Sequence, residues 1–255
     1  MYRQNPLKSR LAAGQPALGC WVFSTDSSVA ENLAQAGFDA LIIDHEHCGS
    51  DLPGLVHALQ AISASGCAGL VRVPSNDAVY IKRVLDIGVE GIVVPNVQSA
   101  AEARAAVAAC HYPPRRRRGL GFPFARAADY GRVADYAAEA GDNLLICPII
   151  ESRAGFENLE AIATTEGIEM LMMGPGDLSA DLGKPGAFDD PEVAGLIAAG
   201  EQVVLEAGKW LAGIALDGAG ARAMFERGYH FVAPAADVWL LRDGSRDLID
   251  EAMNG

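Results

Sequence analysis

The sequence predicts an α/β fold of the (β/α)8 TIM-barrel type. Three observations lead there: eight short apolar runs recur along the chain, Ala-rich amphipathic stretches separate them, and no linker or low-complexity segment breaks the rhythm. The runs are ALGCWVF (17–23), ALIID (40–44), GLVRV (69–73), GIVVP (91–95), LLICPII (144–150), EMLMM (169–173), LAGIAL (211–216) and HFVAP (230–234). Each is continuously apolar rather than alternating, as in parallel strands covered on both faces. Helical patterns fill the intervals 27–37, 52–65, 77–87, 99–110, 153–163, 191–207 and 218–227. Several stop at glycine, in QAGFD, DIGVE, EAGKW and ERGYH, where the chain needs a left-handed residue to leave the helix. A doubly wound open sheet is the alternative arrangement of the same elements. Residues 1–255 read as a single domain with a long connection at about 112–143.

Composition narrows the partners. A formal net charge of -13 and a pI of about 4.7 oppose binding to nucleic acid or to an anionic membrane. No apolar run is long enough to span a bilayer, and no charged-then-apolar signal opens the chain. Five cysteines, at Cys20, Cys48, Cys67, Cys110 and Cys147, form no CxxC pair and read as reduced thiols of a cytoplasmic protein. Four arginines, Arg115 to Arg118, follow Pro113-Pro114 in the long connection. On so acidic a chain they read as a solvated turn rather than a nucleic-acid contact.

In a parallel barrel the strand-to-helix loops all open at the carboxyl ends of the strands, where chemistry collects. Strand two ends in Asp44-His45-Glu46-His47, strand three carries Arg72 in LVRVP, strand five ends at Glu151 in PIIES, and GPGDLS after strand six brings Asp177. Singly, each has an ordinary explanation: Glu151 as a first-turn acid, Asp177 as a helix cap, Arg72 as a rim ion-pair partner, a histidine as a hydrogen-bonding residue. Together they place His, Arg, Glu and Asp on one rim. Two carboxylates from neighbouring strands repel unless a hard cation lies between them, and Mg2+ or Mn2+ takes one or two carboxylates while leaving positions for substrate oxygens. Zinc is disfavoured, because neither acidic motif supplies His or Cys at ligand spacing. Gly174 and Gly176 let backbone approach a bound anion, so Gly174, Pro175, Gly176 and Asp177 form the expected seat of a substrate carboxylate. A 2-oxoacid bound there loses a proton from the neighbouring carbon to give a metal-stabilised enolate, with Arg72 adding positive charge and a histidine shuttling the proton. Strand alternation does not choose between His45 and His47. Lys82, Lys184 and Lys209 fall on helices or loops, which disfavours a Schiff base.

These motifs resemble the HpcH/HpaI family, the metal-dependent class II pyruvate aldolases, a family that includes enzymes cleaving 4-hydroxy-2-oxoheptanedioate and 2-dehydro-3-deoxyglucarate. The likeness runs from AGFDALIIDHEH to GYHFVAPAADV through LVRVP, IKRVLDIGVEGIVVPNV, YPPRRRRGLG, RAADYG, ENLEAIATTEGIE and GPGDLS. It implies a barrel of the phosphoenolpyruvate/pyruvate type and reversible aldol cleavage of a 4-hydroxy-2-oxoacid to a short 2-oxoacid and an aldehyde. By position, the resemblance assigns proton transfer to His47, the substrate-oxygen contact to Arg72, the metal (Mg2+ or Mn2+, with Co2+ a further candidate) to Glu151 and Asp177, and the start of the strand-two motif to Asp44. Asp86, in VLDIG, matches an aspartate that pairs with the histidine; since it closes a helix far from the rim, it is expected to act from a neighbouring subunit. A hexamer, a trimer of dimers exchanging a carboxy-terminal helix (about 243–253 here), is likewise implied. Arg118, Phe122 and Arg126 map onto a loop expected to shape the acceptor pocket. Two departures stand out. His45 replaces a glycine of many relatives, and Ile149 replaces the glutamine of QVE, which leaves the donor open between pyruvate, hydroxypyruvate and another short 2-oxoacid. Alternatives are a citrate-synthase-like transferase using oxaloacetate and acetyl-CoA, and a non-catalytic metabolite-binding barrel.

Overall fold

Branched and apolar runs too short for stable helices pair as strands. The computed structural model, which describes residues 2–114 and 117–254, closes eight of them into one parallel barrel in sequence order. They are β1 (Ala17–Val22), β2 (Ala40–Asp44), β3 (Ala68–Arg72), β4 (Gly91–Val94), β5 (Leu145–Ile150), β6 (Met170–Met173), β7 (Trp210–Ile214) and β8 (Phe231–Ala236). Ala17 pairs with Phe231 to close the ring. The predicted fold class therefore holds, and the open-sheet alternative does not.

Pleating explains the unbroken apolar runs. Ala40 and Ile42 point into the barrel with Trp21, Leu70, Val93, Cys147, Met172 and Phe231, while Leu41, Ile43, Val71, Ile92 and Ile146 face the helices. Both sets are buried. The surrounding helices are α1 (Pro6–Ala12), α2 (Ser27–Gln35), α3 (Leu52–Ala61), α4 (Ala78–Ile87), α5 (Ala100–Cys110), α6 (Tyr136–Asn143), α7 (Arg153–Glu157), α8 (Leu159–Ala163), α9 (Pro175–Asp181), α10 (Pro191–Glu206), α11 (Gly218–Glu226) and α12 (Asp237–Asn254). Asp26, Asp51, Asp77, Ser99 and Asp217 each accept a first-turn amide, so the loops leaving the strands end in a cap that starts the next helix.

The structure differs from the sequence reading at several points, among them α6 and α9, which fall outside the expected helical intervals. α1 was not expected; its Leu7 and Leu11 plug the amino-terminal end of the barrel. The helix expected over 153–163 breaks at Asn158, whose side chain donates to Gln98 O at 3.0 Å. α12 begins at Asp237, earlier than 243, because its buried carboxylate accepts the Phe23 and Ser24 amides at 3.0 and 2.8 Å. Arg118 is buried rather than solvated: its guanidinium lies 4.4 Å from the Tyr112 ring centre. Arg115 and Arg116 lie outside the described residues. All five cysteines are unpaired, and among the described residues no helix is long and apolar enough to cross a membrane.

Candidate active site

Continuing the pleat by one step past Ile42, Leu70, Ile149 and Met172 brings Asp44, Arg72, Glu151 and Gly174 to the inward face at the barrel mouth. Asp44 and Arg72 are register partners, and Arg72 Nε donates to Asp44 Oδ1 at 2.7 Å. The guanidinium lies 4.6 Å from the Trp21 ring centre and its Nη1 is 3.3 Å from Glu46 Oε2. Burial works to raise the Asp44 carboxyl, but the Arg72 pair and two backbone amides more than offset it and hold it below the usual carboxylate range. Those amides, from Glu46 and His47, reach Asp44 at 3.1 and 3.0 Å, so the carboxylate that ends the strand also turns the chain out of it.

That turn separates the two histidines. His45 is buried against α4, with Nδ1 2.7 Å from Tyr80 Oη, and burial pushes its pKa down. His47 stays exposed, with Nε2 3.6 Å from Glu46 Oε2, and lines a cleft of about 330 Å³. The strand alternation expected to keep them on one side stops at Asp44.

The same cleft is lined by Glu151, Asp177, Asn96, Gln98, Ser152 and Asp181. Glu151 is 7% exposed and accepts the Asn96 amide at 2.7 Å. Burial pushes its carboxyl up to about 7; the Asn96 amide and Arg72 oppose this, while Asp177 and Glu46 add repulsion. A Cβ at Gly174 would fall 2.6 Å from Glu151 Cβ and 2.9 Å from Glu151 Oε2, so only glycine leaves this carboxylate its place. A buried acid facing two further acids is short of positive charge, and hard oxygen donors on an open cleft suit a divalent cation. Among the described residues no three His, Cys, Asp or Glu cluster as a complete ligand set. A cation here would rest on the two carboxylates, with water and substrate oxygens completing its shell.

Asp86 lies elsewhere. Near the end of α4, it accepts Arg118 Nη2 at 2.8 Å and does not line the cleft. Phe122 packs against Tyr112 and Tyr136, and Arg126 donates to Ile87 O at 2.9 Å, so neither lines it within one chain. Sequence reasoning assigned no role to Trp21, Glu46, Asn96 or Gln98. Trp21 was accessible by carrying the inward parity onto β1, and Glu46 by its place between two assigned residues; Asn96 and Gln98 had no comparable signal.

Fold and site together define a (β/α)8 barrel enzyme with an acidic, arginine-bearing mouth suited to a small oxyacid. The chain belongs to the HpcH/HpaI aldolase/citrate lyase family, whose model matches residues 17–243. It is 39% identical over 235 residues to a hydroxypyruvate/pyruvate aldolase of Agrobacterium fabrum, covering 92% of this chain and 88% of that one. It is 41% identical over 236 residues to a 2-keto-3-deoxy-L-rhamnonate aldolase of Klebsiella pneumoniae, with the same coverage. A solved HpcH/HpaI aldolase/citrate lyase family protein of Burkholderia cenocepacia superposes with a TM-score of 0.93 at 35% identity, over 97% of this chain and 99% of that one.

Proposed function

We propose that this chain is a carbon–carbon lyase, a class II aldolase that reversibly cleaves a 4-hydroxy-2-oxoacid to a short 2-oxoacid, pyruvate or hydroxypyruvate, and an aldehyde. The observation that carries the reading is the meeting of Glu151 and Asp177 on one cleft with His47 and with Glu46, which holds the guanidinium of Arg72. A divalent cation, Mg2+ or Mn2+, held by Glu151 and Asp177 would supply Lewis-acid charge beside the oxygens of the oxoacid.

The protein's own groups do the rest. Arg72, fixed by Asp44 and by the Trp21 face, keeps its charge at one spot and offsets the negative charge that grows on the 2-oxo oxygen. Glu46 holds a second edge of the same guanidinium. The wall formed by Gly174, Pro175, Gly176 and Asp177 seats the substrate carboxylate. In cleavage the C4 hydroxyl gives its proton toward His47, the C3–C4 bond breaks, and its electron pair passes into the oxoacid as an enolate. C3 then takes up a proton, and addition runs the same steps in reverse. Asp86 would meet a histidine only across a subunit boundary, in the hexameric arrangement; Val238, Leu240, Leu241, Leu248, Ile249 and Met253, exposed on α12, support an assembly of that kind.

Deuterium uptake at C3 of pyruvate and of hydroxypyruvate, followed by NMR in deuterated water, tests the reading and identifies the donor. Mn2+ or Mg2+ is expected to be required, EDTA to abolish exchange, and borohydride to leave the protein unlabelled. A lysine trapped by borohydride with substrate would overturn it. Consumption of acetyl-CoA with oxaloacetate would move the assignment to the transferase.

A further inference from the structure

Asn96 follows Pro95 at the end of β4 and adopts φ +49°, the left-handed region that most side chains avoid. Its conformation has a local consequence. The left-handed residue lets two successive amides both face β5: the Asn96 N–H donates to Glu151 Oε1 at 2.7 Å, and that of Val97 reaches Ile149 O at 3.2 Å. The side chain is exposed, and its Oδ1 accepts Gln98 Nε2 at 2.9 Å. Among the described residues Glu151 Oε2 accepts no hydrogen bond, and it lies beside the space that glycine at 174 keeps open.

We infer that Asn96 is a positioning residue: its left-handed turn commits one oxygen of Glu151 to the backbone and leaves the other free for a cation. This rests on the metal-binding reading above. The backbone conformation is the active feature, and the Asn side chain serves by tolerating it. Asparagine is among the few side chains at ease there, and glycine costs nothing. A β-branched residue resists the turn and draws the amide away from Glu151.

The test is Mn2+ binding to the metal-stripped protein, read by calorimetry and by loss of the free Mn2+ paramagnetic resonance signal. Asn96→Val is expected to weaken Mn2+ binding roughly tenfold, the scale of one hydrogen bond to a charged group. Asn96→Gly is expected to bind within about twofold of the native protein, because the αL turn survives without the side chain. Thermal unfolding without metal checks that the variants fold, and Asn96→Ala, expected between the two, replaces Asn96→Val if that variant does not. Native affinity in every folded variant overturns the inference, as does a glycine variant as weak as the valine one. Glu151→Gln and Asp177→Asn separate the two levels. If these lose Mn2+ and Asn96→Val does not, only the positioning role fails; if the native protein binds no Mn2+, or both acid variants bind it unchanged, the metal reading falls and this inference with it.

Discussion

The two ends of the barrel carry ionisable groups in opposite states. At the amino-terminal end Arg3 donates to Glu90 at 2.6 Å and to the carbonyls of Ser65 and Cys67, while Glu90 also accepts the Gly69 amide at 2.8 Å. Donors and acceptors there are matched inside the chain. At the carboxyl end Glu46, Glu151 and Asp177 share a cleft, and Arg72, which pairs with Glu46, is already committed to Asp44. Charge matched inside the chain fixes a fold; an unmatched buried carboxylate such as Glu151 costs stability and is retained where something binds.

The sharpest way to break this contrast is one substitution at each end. Glu151→Gln is expected to reduce metal-dependent 2-oxoacid release by about a thousandfold or more, as a lost cation site should. Its unfolding midpoint should hold or rise, since an uncompensated buried acid has gone. Glu90→Gln should do the reverse, costing about 1–3 kcal/mol by leaving Arg3 without its charged acceptor, with activity per folded molecule unchanged. Denaturant titration and steady-state assay of both variants would decide, and a destabilised Glu151→Gln would sink the comparison.

Arg72 belongs to both regimes, being a matched pair with Asp44 and the cation of the site. Arg72→Ala should therefore lose activity and also about 3–5 kcal/mol of stability, because it strands the fully buried Asp44 carboxylate. His47→Ala is expected to slow C3 deuterium exchange by about a hundredfold with Mn2+ affinity intact. His45→Gln should leave exchange within a few-fold. The smallest effect expected is a pH slope. Burial lowers the His45 pKa below its ordinary 6.5, so as pH falls beneath that value the unfolded chain takes up a proton the folded chain refuses. Stability contributed by neutral His45 is present above that pH and is lost below it. His45→Gln should flatten this acid-side loss in unfolding midpoints measured between about pH 7.5 and 5.

Much of the architecture was legible because a covered parallel strand leaves a plain mark: every residue of β2 and β3 is buried, so both read as short apolar runs up to the charged residue, Asp44 or Arg72, that closes each strand. Residues at those ends were legible too, since Asp44, Arg72, Glu151 and Asp177 interrupt or follow such runs. Arg118 was misread because a run of arginines looks solvated, whereas this one lies under Tyr112 and Tyr136 and meets Asp86. The helix break at Asn158 was invisible because its hydrogen bond to Gln98 O spans residues 60 positions apart.

By itself the sequence determined the barrel, the rim and the residue types delivered to it, because strand period and helix caps are local properties of the chain. Tertiary structure decided which histidine faces the cleft, that Glu151 lies buried among acids, and that Asn96 turns an amide onto it. Those outcomes depend on a turn set by Asp44, on desolvation by the whole barrel, and on contacts between β4 and β5 that no sequence window contains.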